Sequence, residues 1–442
     1  MEQQARTRRA VLTAARVEFA ERGYSEAKID RIAERADLTR GAVYSNFPSK
    51  RALYLAVLLD SVEPARDRDA WVRHAQDERA AQQERAAQQE RAARPADEPE
   101  LAAWPAAEPE LAAKSATEPE RINGLLSAAE EDELRRVDEQ SSAPERDQPG
   151  QAGEQRSGAG RGLEALDVPA AVEAFARVWL ERLPLAYDDN TAGRLRARSL
   201  TGVFDDDERG RAALAQITWL EALLLAVALE SCRARGAGRR VRLAELILTM
   251  LHGAATLAET APGFGDAFDV AGACRHLAGL AVADEWNPPY LPYVAPARPV
   301  GEAWVSPGEV VDELSGRPFE VGDGLVVLLG AGRLGSAEDA VRSARPGEVV
   351  TVAVVTDDPA ETGALVRLRL TELATTLRQI FGPAFRPSLR LVLDDSGTLA
   401  SAIGVTPAFD TETSVRIRNG EMVARSDGRG AGHATAITGQ TP

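Results

Sequence analysis

The sequence predicts a multidomain chain. Helical segments lie at 1–75 and 166–285, a disordered low-complexity insertion at 76–165 separates them, and a Pro-rich linker at 286–299 leads to an α/β region at 300–442. Three observations carry this reading. Apolar residues recur at helical spacing in the first and third segments. Short polar repeats interrupted by proline fill the second. Strand-like apolar runs alternate with helix-like runs in the last.

Composition narrows the function classes. The chain has 442 residues, 52 Lys and Arg, 68 Asp and Glu, and a formal charge of −16. The two cysteines, Cys232 and Cys274, exclude a disulfide framework, a CxxC redox pair and a Cys-based zinc finger, and fit a reducing compartment. Met1–Arg9 is polar and basic, and the longest uncharged apolar run, Ala222–Leu229, falls far short of the ~20 residues that span a bilayer. A cytoplasmic protein without a membrane segment is expected. The negative total hides an asymmetry: residues 1–51 hold eleven Lys or Arg against seven Asp or Glu, whereas residues 63–165 hold fourteen against twenty-four. Screening makes the local field decisive, so the basic N-terminus can bind a polyanion.

The N-terminal elements follow in order. A helix over Thr7–Arg22 places Val11, Ala15 and Phe19 on one face, and Gly23 ends it. Ser25 or Ala27 opens a second helix with Ile29, Ile32, Ala33 and Ala36 inward. Asp37-Leu38 makes a turn, and Thr39 caps a short third helix, Arg40–Phe47, with Val43 and Phe47 inward. Ser49 caps a fourth, which carries Leu53, Val57 and Leu58. Two short helices joined by a tight turn can place the second in a major groove. Gly41 and Ala42 allow close backbone approach, and Arg40, Tyr44, Ser45 and Asn46 supply outward donors. Lys50 stands beside the amides of a helix start, where phosphate is attracted. The competing reading of the same pattern is a three-helix core with a solvated face.

The run VLTAARVEFAERGYSEAKIDRIAERADLTRGAVYSNFPSKRAL, residues 11–53, resembles the DNA-binding domain of the TetR family of bacterial regulators. The likeness rests on Phe19–Tyr24, Ile32-Ala33, Gly41, the Tyr44-x-x-Phe47 spacing and Lys50. It implies phosphate contacts from Tyr44 and Lys50 and base or backbone contacts from Arg40, Ala42, Ser45 and Asn46. Thr39 and Gly41 belong to the same DNA-facing set, with Lys28 at the phosphate-facing start of the second helix. It also implies a ligand-responsive repressor that binds a pseudo-palindromic double-stranded DNA operator as a homodimer, with an unknown small-molecule effector. Two departures stand out. Asp37 replaces the usual turn glycine, which Asp tolerates through its access to the left-handed region. Ala27-Lys28 replaces hydroxyl residues at the second helix's start, removing a cap worth ~1 kcal/mol.

In the insertion, ERAAQQ occurs at 78–83 and 84–89, and a ten-residue unit beginning EPELAA occurs at 98–107 and 108–117. Neither period keeps an apolar stripe on a helix, and the recurring prolines break one. Such a stretch buries too little apolar area to offset its chain entropy and reads as disordered, with an acidic docking segment as the alternative.

Four helices are expected beyond it, at about 168–185, 209–235, 239–260 and 266–283. The second, with Leu214, Ile217, Leu220, Leu224, Val227 and Leu229, is apolar nearly all round and therefore central. The last two resemble the helix pair through which TetR-type subunits dimerise, so the homodimer contact is expected at 239–260 and 266–283. Trp179, Trp219, Glu221, His252 and Cys274 are candidates for an effector pocket, each with ordinary packing as its alternative.

In the C-terminal region, strands are expected at 324–329, 349–355 and 389–393, helices at 336–344, 361–381, 398–403 and 431–438, and a hairpin of 413–418 with 422–425 around Asn419-Gly420. That order, and the run LVLDDSGTLASAIGVTPAFDTETSVRIRNGEMVARSDG at 391–428, resembles a thioredoxin-like domain. Residues 285–442 contain no cysteine, so the thiolate that such chemistry needs is missing. Gly330-x-Gly332-x-x-Gly335 formally matches a dinucleotide fingerprint but lacks the ribose-binding acid. A binding or assembly module, no cofactor, no metal and no enzymatic activity are expected. The alternative is a DNA-targeted enzyme whose catalytic part is the α/β region.

Overall fold

The structure, a computed structural model, describes residues 2–62, 167–181, 183, 200, 202–232, 238–261, 263–382, 385 and 387–438. The insertion expected at 76–165 lies outside the described residues.

The N-terminal head has four helices. α1 (Glu2–Glu26) passes through Gly23, whose φ of 74° breaks the helical path where the sequence places a stop. α2 (Ile29–Arg35) and α3 (Arg40–Asn46) follow, and α4 begins at 50 and is described to 62. Asp37 adopts φ 54° in the turn between α2 and α3, as its access to that region allows. Thr39 Oγ1 accepts the Ala42 N–H at 3.2 Å, and Ser49 Oγ accepts that of Ala52 at 2.9 Å; both caps were legible in the sequence.

The second helical group comprises α5 (Val168–Leu180), α6 (Glu208–Glu230), α7 (Val241–Thr260) and α8 (Ala267–Ala278). Asp167, Asp207 and Asp266 cap α5, α6 and α8. α5 ends at Leu180 and α6 at Glu230, before the expected 185 and 235, and the last helix ends at Ala278, short of 283. α6 is buried without a break from Leu220 to Leu229, on every face. By length and composition α6 and α7 could each cross a membrane; α6 is mostly buried within the fold.

The α/β region has a six-stranded sheet in the order β1-β8-β7-β4-β5-β6. Its strands are β1 (Arg298–Ala303), β4 (Gly324–Gly330), β5 (Val350–Val355), β6 (Leu389–Leu393), β7 (Glu412–Arg418) and β8 (Glu421–Asp427). β4, β5 and β6 run parallel, and β7, β8 and β1 add antiparallel. β2 (Glu309–Asp312) and β3 (Arg317–Glu320) form a separate hairpin. The helices are α9 (Ala337–Ser343), α10 (Thr362–Phe381), α11 (Thr398–Ile403) and α12 (Ala431–Ile437). Asn419 and Gly420 turn the β7–β8 hairpin with φ of 52° and 74°, the geometry that an Asn-Gly pair favours.

Alternation along β4 gives the sheet two faces. Val326 and Leu328 face α11 through Leu399, Ala400 and Ile403. Leu325, Val327 and Leu329 join a single buried cluster that runs through α9, α10 and α6 into the head, ending at Val11 and Phe19. The Pro-rich connector is therefore no spacer. Tyr290 donates its hydroxyl to the Asp339 carboxylate under the Arg429 guanidinium, and Arg342 pairs with Asp284 and Glu338. The 298–299 end of the expected linker is already the start of β1. Linker composition sets stiffness and reach but carries no information on which surfaces dock.

Candidate nucleic-acid interface

The residues that the sequence singles out are exposed or half-buried on the head. Lys28, Thr39, Arg40, Gly41, Tyr44 and Ser45 are exposed, and Ala42, Asn46 and Lys50 are half-buried. Val43 and Phe47 point inward and hold α3 on the core. A Cβ added at Gly41 would have no neighbour nearer than 3.9 Å, so close backbone approach by a ligand meets no side chain there.

Local bonds hold several of these side chains. Ser45 Oγ and Asn46 Nδ2 both donate to the Ala42 carbonyl, at 2.9 and 2.8 Å. The Arg40 guanidinium lies over the Tyr44 ring at 5.6 Å and pairs with Asp30 at 3.4 Å. Lys50 Nζ donates to the Ser25 carbonyl at 3.1 Å and sits over the Tyr24 ring at 4.8 Å; burial pushes its ammonium below its ordinary value. Lys50 is thus folded back along the α1–α2 junction. One of its three donors is engaged by the Ser25 carbonyl, which leaves two for a further acceptor.

Lys28 fills the N-cap position of α2 without a side-chain cap. The fully buried Glu18 carboxylate accepts the backbone N–H of Lys28 itself, at 3.4 Å. It also lies 3.4–3.8 Å from the guanidinium groups of Arg22, Arg31 and Arg35. One carboxylate therefore gathers three of the head's cations and ties α1 to the start of α2. Glu18 escaped the sequence reading because it stands on the buried face of α1, seven residues after Val11 and three after Ala15, where a carboxylate is not expected. Arg8 escaped it too: its guanidinium stacks on Phe47 at 4.3 Å and donates to the Asn46 carbonyl, tying α1 to the end of α3.

The candidate effector residues divide. Glu221, His252 and Trp179 come together: Arg369 of α10 donates to both Glu221 oxygens at 2.9 and 2.7 Å and to His252 Nε2 at 3.2 Å, and Trp179 meets His252 edge-on at 5.4 Å. Trp219 lies elsewhere, 47% exposed against the Gly335 loop. Cys274 is buried beside Met250, its Sγ 3.5 Å from the thioether sulfur, and burial pushes its thiol up to about 11. Cys232 and Cys274 are both free thiols.

The Gly330-x-Gly332-x-x-Gly335 run is a packing device. A Cβ at Gly330 would stand 2.2 Å from the Ala408 carbonyl oxygen, and one at Gly332 would stand 2.6 Å from the Phe409 ring. Gly330 and Gly332 donate their N–H groups to Thr411 and Phe409, and Gly335 donates to Gln216 of α6 at 2.9 Å. The amides of all three glycines are engaged within the protein.

No curated protein and no solved structure matches the chain. Residues 11–57, which hold the whole of α2 and α3 and the first part of α4, match the family model of bacterial regulatory proteins, tetR family, and the head is accordingly a DNA-binding helix-turn-helix of the TetR type.

Proposed function

We propose that the protein is a sequence-specific transcriptional regulator, a ligand-responsive repressor that binds a pseudo-palindromic operator as a homodimer. The observation that carries this reading is the α2–turn–α3 unit, with exposed Arg40, Tyr44 and Ser45 around the exposed Gly41, in a segment that matches the TetR model. Tyr44 and Lys50 hold phosphates, Lys28 adds one more, and Arg40, Ala42, Ser45 and Asn46 face the groove. Dimerisation through α7 and α8 is supported by the apolar surface there: Leu246, Leu257 and Phe268, with Leu280 just past the end of α8, are 43–76% exposed. Apolar area of that extent on neighbouring helices fits a protein partner.

The α/β region is read as a thioredoxin-like module without thiol chemistry. The parallel β4–β5 pair, the antiparallel β7–β8 hairpin beside β4, and the absence of cysteine after Cys274 support that reading. It serves binding or assembly.

Enrichment of random duplexes by the full-length protein tests the first reading. A single enriched site with two inverted halves is expected. Lys50→Ala should then weaken binding about equally on all duplexes and lower the salt slope by about one. Failure to enrich any sequence, or an unchanged slope in the variant, would remove the operator or Lys50 respectively from the account.

A further inference from the structure

The Glu361 carboxylate of the α/β region reaches two side chains of the head. Glu361 occupies the N-cap position of α10 but does not cap its own helix. Asp358 does that work, accepting the N–H groups of Glu361 and Thr362 at 3.2 and 3.1 Å. The Glu361 side chain is turned to the head instead. One oxygen accepts the Ser49 hydroxyl, and the other accepts Arg51 Nη1 at 2.9 Å. The same Arg51 nitrogen reaches Asp207 at 2.7 Å, and Arg51 Nε reaches the Val203 carbonyl at 3.1 Å. A single guanidinium on α4 therefore fastens the head to the start of α6 and to the start of α10.

Ser49 and Arg51 flank Lys50, and Ser49 is also the residue that caps α4. Beside this joint lies a cavity of about 210 Å³, lined by Phe47, Pro48 and Ala52 of the head and by Pro359, Ala360 and Ala364 of the α10 start. The apolar packing is interrupted there, and the polar joint lies at the edge of the gap, at the start of α4.

We propose that Glu361 is a positioning residue for DNA recognition: by holding Ser49 and Arg51 it fixes the start of α4, and with it the direction of α3 and the place of Lys50. This rests on the DNA-binding reading above. It gives the α/β region a direct hand on the reading head, so that whatever binds that region acts on DNA affinity through the 356–362 turn.

The proposal separates from a purely electrostatic role by sign. A carboxylate beside a phosphate-holding helix start repels phosphate. Were charge its only effect, Glu361→Gln would tighten DNA binding and steepen the salt slope. A positioning role predicts the reverse. With the duplex enriched by the full-length protein, Glu361→Ala should weaken binding roughly tenfold, within the usual range of coupling between sites. Glu361→Gln, which keeps an acceptor for Ser49, should recover part of the loss. The salt slope should be no steeper than that of the wild type, because a displaced Lys50 can only weaken a phosphate contact. Stoichiometric titration should give an unchanged active fraction, which a merely structural loss would lower. If Glu361→Ala does not fold, Glu361→Gln alone carries the test, with a several-fold loss expected. Affinity within twofold of wild type in the folded variant, or tighter binding with a steeper slope, overturns the proposal. A wild-type protein that enriches no duplex overturns the DNA-binding reading itself, and the two failures are thereby distinct.

Discussion

His252 must accept a hydrogen bond from a group that can only donate. Its Nε2 lies 3.2 Å from Arg369 Nη2, and a guanidinium has no acceptor, so the ring is neutral with its proton on Nδ1. Burial first, and the Arg369 charge second, hold the imidazole below its ordinary value, with Glu221 opposing. The unfolded chain therefore takes up a proton near pH 6.5 that the native state resists. The unfolded state binds more protons in that window, so this group's contribution to stability is lost as pH falls below it. Replacement by Gln, whose amide oxygen can still accept from Arg369, should leave stability near pH 8 little changed. It should also flatten the wild-type decline between about pH 7 and 5.5. Urea unfolding of both proteins across that range checks it, and parallel pH profiles would remove His252 as the source. Residues like Asp37, Thr39 and Asn419 were readable in the sequence because each acts within three positions of itself. The Arg369–Glu221 and Arg51–Glu361 pairs join residues 148 and 310 positions apart, and no local pattern records such partners.

At the scale of elements, legibility follows burial. β4 and, but for Thr351, β5 are continuous apolar runs, the signature of parallel strands covered on both faces, β6 is apolar but for Arg390, and the expected and observed limits of all three agree within a residue. β1, β2 and β3 went unread. β1 contains Pro299 and Gly301 and is exposed at five of six positions, so it carries no alternation, and β2 and β3 have four residues each. The glycine run after β4 shows how a motif can be formally present for another reason. Gly330 and Gly332 are required because the 407–411 segment crosses them at backbone contact distance. Gly330→Ala should destabilise the protein by about 1–3 kcal/mol or more, since its Cβ would meet backbone that cannot rotate away. Gly322→Ala, where a Cβ meets nothing within 4 Å, is the matched control and should be near neutral. Chemical unfolding of the pair decides it; equal midpoints would mean that the 407–411 segment yields.

For the whole molecule, the arrangement departs most from a chain of separate domains. The clue in the sequence was α6: a helix apolar all round needs cover on every side, and α5 and α7 supply only part of it. The rest comes from α10 and the loop after β4, with Arg369 reaching Glu221 inside the helical group and Gly335 reaching Gln216. Arg242 to Glu338 and Arg209 to Asp357 bind the same interface at its edges. Truncation after residue 285 would uncover the α6 face and leave Glu221, 4% exposed, without its guanidinium. Breaking a buried pair by removing one partner costs about 3–5 kcal/mol, against a total stability of about 5–15 kcal/mol for a native domain. The truncated chain should therefore melt roughly 10 °C or more below the full-length protein, or fail to unfold cooperatively. Its DNA binding should fall with its folded fraction. Supplying residues 286–442 as a separate chain should raise the melting temperature again, because a partner that binds only the native state stabilises it by mass action. Calorimetry of the truncated protein, alone and with the added fragment, measures both effects. A truncated protein that melts with the full-length one and binds the same duplex equally well would return the α/β region to the status of an independent appendage and leave the burial of α6 to its own helices.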